Sequence, residues 1–110
     1  MGRTNKDSEQ YLDVRRVIAI RDNYFHCIAS LNNSLRLNDG NSLRSSMYEE
    51  YAKDVEHALE SLDALDQKIL NREFFHCTNK FWWIGLYSRT TYYRIRRKAI
   101  VKFLRTFYEQ

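Results

Sequence analysis

Arg89, Thr90, Thr91, Tyr93, Arg94 and Arg97 are the residues of this chain whose types and spacing best fit a defined chemistry. Arginine can give two parallel hydrogen bonds to guanine O6 and N7, and threonine can touch a thymine methyl or bond a base edge. Tyrosine can bond phosphate oxygens. On a helix these six lie off the apolar stripe formed by Tyr92, Ile95, Ala99, Ile100, Phe103, Leu104 and Phe107. Ser88 stands just before them, where an N-cap belongs, and a helix N-terminus favours an anionic phosphate. Arg96, Lys98, Lys102 and Arg105 lie further along, better placed for phosphates or solvent than for bases. The candidate DNA contacts are Ser88, Arg89, Thr90, Thr91, Tyr93, Arg94, Arg97, Lys98 and Lys102.

The distribution of charge points the same way. Residues 45–73 carry three basic and eight acidic side chains, whereas residues 74–108 carry eight basic and none acidic, within a chain of net charge +4. Mixed signs serve solubility better than a single-signed stretch, so a polyanionic partner is implied. Other chemistries have less support. His26-Cys27 and His76-Cys77 offer zinc-ligand types, but neighbouring residues on a helix diverge and no Cys-x-x-Cys or His-x-x-x-His spacing occurs. Packing or surface positions are the expectation for them, with no metal and no cofactor. No carboxylate pair, glycine-rich phosphate loop or nucleophile elbow is present, so no enzymatic activity is expected. No apolar run is long enough for a membrane span and no secretory signal is visible. Two cysteines are too few for a disulfide framework. The expectation is a cytoplasmic chain with no membrane partner.

The elements that must position these residues are helical. The chain has no proline, and glycine occurs only at positions 2, 40 and 85, too few for the frequent turns of a β or α/β fold. An all-α fold of about five helices follows. The first starts near Asp7 or Ser8 and carries Tyr11, Val14, Val17, Ile18, Tyr24, Phe25, Ile28, Leu31 and Leu35, with a bend or exposed turn open at Arg21. Asn38-Asp39-Gly40-Asn41 ends it. Ser46-Met47-Tyr48-Glu49 matches a capping box for the second helix, which carries Tyr51, Ala52, Val55, Ala58, Leu59 and Leu62. Asp63 or Asp66 caps a third, holding Leu65, Ile69, Leu70, Phe74 and Phe75. Phe81, Trp82, Trp83 and Ile84 form a short fourth, with Gly85 at its C′ position. The basic helix is the fifth. Residues 1–45 read as an N-terminal helix for oligomerisation or partner binding, and residues 46–110 as a helical DNA-binding domain with a helix-turn-helix at about 80–107.

A short apolar helix, a turn with glycine, a serine cap and a basic amphipathic helix form the helix-turn-helix pattern. Ser88-Arg89, Ile95, Lys98-Ala99-Ile100 and Phe103-Leu104 resemble the fourth region of housekeeping-type sigma factors. The phrase from Tyr87 to Arg94, followed by Lys98-Ala99-Ile100, is closer still to the ArpU/RinA-like phage and bacterial transcriptional regulators. The resemblance covers about residues 62–107 and departs at Phe81-Trp82-Trp83-Ile84, where sigma-like domains usually carry a Glu-Ile-Ala type segment. It implies DNA contact by Arg89, Thr90, Thr91 and Arg94; Tyr93 and Arg97 come from helix geometry. The expected function is sequence-specific transcriptional regulation on double-stranded DNA. RNA polymerase is a candidate partner of the acidic second helix, and pairing with a second copy through the long first helix stays open. The alternative is a protein-interaction module whose basic helix docks an acidic protein or RNA.

Overall fold

The computed structural model describes residues 3–37 and 42–110, with side chains for 9–33 and 44–110. Its helices are α1 (Arg3–Leu37), α2 (Ser42–Glu60), α3 (Ala64–Leu70) and α4 (Arg89–Tyr108), and a π-helical turn (Asn71–Phe75) continues α3. The all-α expectation holds, with a long N-terminal helix and three further helices. α1 already begins at Arg3, upstream of Asp7 and Ser8, and runs unbroken through Arg21. The Asn38–Asn41 turn lies outside the described residues. α2 starts a full turn before Ser46, so the Ser46–Glu49 box lies inside the helix and does not open it.

Apolar side chains from every helix meet in one core. Val17 and Ile20 of α1, Val55 and Ala58 of α2, Ile69 and Leu70 of α3, and Ala99, Ile100, Phe103 and Leu104 of α4 are all buried. The expected α1 stripe is only partly realised: Tyr11 and Phe25 are exposed, while Ile20 and Cys27 are buried. The π-helical turn has a packing role. Its wider winding, closed by His76 N–H donating to Asn71 O, lets the adjacent Phe74 and Phe75 both face the core. Phe75 meets Tyr24 edge-on at 6.0 Å and Phe103 at 5.9 Å, joining α1 to α4.

Polar groups fix how the helices meet. The Tyr24 hydroxyl donates to Glu56 Oε2 at 2.7 Å, tying α1 to α2. The Gln67 amide donates to Glu60 O, a carbonyl at the end of α2 that lacks an intrahelical partner, and to Leu62 O just beyond it. Asp63 is the N-cap of α3 but its side chain makes no capping bond. Its carboxylate instead lies 3.5 Å from Lys102 Nζ on α4.

Candidate functional site

The segment expected to be a fourth helix is a succession of turns. Trp82 N–H donates to Asn79 O, Ile84 N–H to Phe81 O, and Leu86 and Tyr87 N–H to Trp83 O. Gly85 adopts φ +92, a left-handed conformation costly to residues with a Cβ. The connection from α3 and its π turn to α4 therefore spans residues 76–88, in place of a short helix and a three-residue turn. The aromatic residues explain the difference. Trp83 stacks on fully buried Tyr92 at 4.5 Å with rings nearly parallel, and Trp82 meets the same ring edge-on at 5.7 Å. Adjacent side chains on a helix point about 100° apart; a turn allows both indoles to reach one tyrosine. Lys68 and Arg72 lie over the Trp82 ring, each at 5.6 Å. The indole N–H of Trp82 is buried without a hydrogen-bond partner among the described residues.

The start of α4 follows the sequence expectation. Ser88 is the N-cap; its Oγ accepts from Thr91 N–H at 3.2 Å and donates to Thr91 Oγ1 at 3.0 Å. Ser88 and Thr91 are thus engaged in the cap itself. Arg89, Thr90, Arg94 and Lys98 are exposed, and Arg97 is half-buried at the edge facing α1. Tyr93 is 43% exposed and receives the guanidinium of Arg96 at 4.8 Å and that of Arg89 at 5.9 Å over its ring.

Pairing separates the cations of α4 into two groups. Arg96 faces inward to Glu73 at 3.5 Å, and Glu73 also accepts the Tyr92 hydroxyl at 2.5 Å. Lys102 sits 3.2 Å from the buried Asp66, whose carboxylate holds the lysine above its ordinary pKa. By contrast, Arg94, Arg97, Lys98 and Arg105 form no ion pair among the described residues. Arg94, Lys98, Val101 and Arg105 recur at spacings of four, three and four, which makes a single row roughly 16 Å long on the outer face. Arg94, Arg97, Lys98, Val101 and Lys102 line an open depression there. α4 has no acidic residue in its own first turn to offset the positive end of its dipole.

The candidates therefore fall into distinct places. Arg94 and Lys98 lie on the outer row with Arg105, while Arg89 and Thr90 open it. Arg97 and Tyr93 flank it toward α1, and Lys102 is held by α3. Pairing of the basic run with the acidic segment 49–66 is one reading of the charge pattern, and Lys102 realises it with Asp63 and Asp66; which cations pair, and the part of Glu73, depend on acids distant in sequence. Their type alone gives no pairing. His26-Cys27 and His76-Cys77 do not converge: Cys27 is buried, Cys77 is exposed, and the described residues hold no group of three or more metal-ligating side chains. No described helix is long and apolar enough to cross a membrane. Compared with known families, characterised proteins and solved structures, the chain matches no family model, no characterised protein and no solved structure.

Proposed function

We propose that this chain binds duplex DNA through the outer face of α4 and acts as a sequence-reading transcriptional regulator. The observation that carries the reading is the sorting of charge on α4. Inward cations are matched by acids, while Arg94, Arg97, Lys98 and Arg105 remain unmatched among the described residues. Uncompensated like charges on one helix face repel each other, and a polyanion relieves that repulsion. The exposed N-terminal turn, with Arg89 and Thr90 beside the helix dipole, suits the edge of a major groove. In this reading α3 with its π-helical turn and α4 are the two helices of an expanded helix-turn-helix, and residues 76–88 replace the usual short turn.

Arg94 and Arg89 read bases in this arrangement, and Lys98 and Arg105 hold phosphates. Fluorescence anisotropy on duplexes selected from a random pool tests it. Arg94→Ala should weaken binding to the selected duplex by about 1–3 kcal/mol and relax preference at one position. Lys98→Ala should weaken all sequences alike. Competition with structured RNA and polyglutamate completes the test. Displacement of the selected duplex by all polyanions equally, or indifference to Arg94→Ala, would falsify the sequence-reading role.

A further inference from the structure

The turn segment leaves large apolar side chains in solvent beside the first turn of α4. Phe81 is 56%, Ile84 61% and Leu86 64% exposed. The base of the turn is held by Trp82 and Trp83 on Tyr92 and by the run of backbone hydrogen bonds, so these tips are presented by an ordered scaffold. Phe81 already carries the Lys80 ammonium 5.4 Å from its ring centre. Ile84 and Leu86, on either side of Gly85 and within four residues of the Ser88 cap, are the more exposed pair. No acidic residue lies anywhere from 74 to 108, so their surroundings in the chain are basic, and the complementary surface is a polyanion. A duplex major groove offers an aliphatic side chain one conspicuous apolar feature, the C5-methyl of thymine.

We propose that Ile84 and Leu86 form an apolar reading edge that contacts thymine methyl groups at the groove entered by α4. The inference rests on the DNA reading of α4 and adds to it a preference for thymine near the helix N-terminus. Arginine and threonine on the helix then supply mainly polar readout, while the turn supplies a larger aliphatic edge than the single exposed Thr90 of α4's first turn.

The test uses the full chain and a duplex recovered from a random pool. Each thymine in that duplex is replaced in turn by uracil, which lacks only the methyl group. At one or two positions the replacement should weaken wild-type binding about fourfold per methyl lost, the size expected for one buried carbon. The Ile84→Ser/Leu86→Ser variant should be indifferent at those positions, and Arg94→Ala should stay sensitive. Emission from Trp82 and Trp83, at the base of the turn, reports whether the variant keeps its fold. The uracil series on the wild type needs no variant at all. A bound duplex whose affinity no uracil changes overturns the methyl contact alone, as does equal sensitivity in the serine variant. Recovery of no duplex overturns the α4 reading and this inference with it.

Discussion

Tyr92 does more at one position than its apolar pattern foretold. It is fully buried, it is the platform for both tryptophans, and its hydroxyl donates to Glu73, which also pairs with Arg96. Hydrogen bonds to charged groups contribute about 1.5–3 kcal/mol. Tyr92→Phe should therefore lower stability by about that amount, read by urea denaturation, while leaving the stacked rings and tryptophan emission near wild type. A loss below 0.5 kcal/mol (about the resolution of a small surface change) would remove Glu73 from this account. The same residue predicts a response to alkali. Burial, reinforced by Glu73, raises the Tyr92 pKa, and burial with the Glu56 hydrogen bond pushes Tyr24 from 10.0 up to about 12. The folded chain thus holds these protons more tightly than the unfolded one. Both contributions are complete below pH 10; that of Tyr24 is lost as the pH rises through 12, and that of Tyr92, raised further, goes on declining beyond it. The Tm should fall across that interval, and Tyr24→Phe should make the fall shallower; a Tm that is flat there, or as steep in the variant, contradicts the assignment.

At the scale of elements, what was legible in the sequence was local. The Ser88 cap and the stripe from Tyr92 to Leu104 needed only neighbours within a turn or two, and both are found. The Ser46–Glu49 box was also local, yet it misplaced the start of α2, because a motif that can open a helix is equally tolerated inside one. Phe81-Trp82-Trp83-Ile84 failed for another reason. Its apolar pattern suits a helix, but its conformation follows from packing on Tyr92, a tertiary contact invisible to periodicity. Gly85 was located correctly as a left-handed position, though it closes a turn and not a helix. This separates two substitutions. Nothing lies within 4 Å of a Cβ built on Gly85, so Gly85→Ala meets no clash and its cost is that of φ +92 alone, about 1–2 kcal/mol. Ser88→Ala removes the bond from Thr91 N–H and should cost about 1 kcal/mol. Both are measurable by chemical denaturation, and a stabilised Gly85→Ala would show that the turn relaxes to a conformation other than the one described.

Across the whole molecule, measuring 53 × 32 × 21 Å, the acids of α3 and its π turn neutralise part of α4 and leave the rest of its charge outward. The outward charge is therefore smaller than the eight cations of residues 74–108 suggest. Of the seven on α4, Arg89, Arg94, Arg97, Lys98 and Arg105 are the cations that the proposed reading leaves open to a duplex, whereas Arg96 and Lys102 are held by Glu73 and by Asp63 and Asp66; the eighth, Lys80, lies in the turn segment over the Phe81 ring. Each phosphate neutralised contributes about −0.9 to the slope of log affinity against log salt. If all five outward cations met phosphates, the slope would approach about −4.5, and any arginine spent on a base makes it shallower. Lys98→Gln and Arg105→Gln should each reduce the slope by about one. Arg96→Gln should lower thermal stability, since it leaves Glu73 with only the tyrosine hydroxyl, and leave the slope unchanged. The comparison asks which cations face the nucleic acid, independently of how tightly it binds. A slope reduced by Arg96→Gln but untouched by Lys98→Gln and Arg105→Gln would place the contact on a different face of α4.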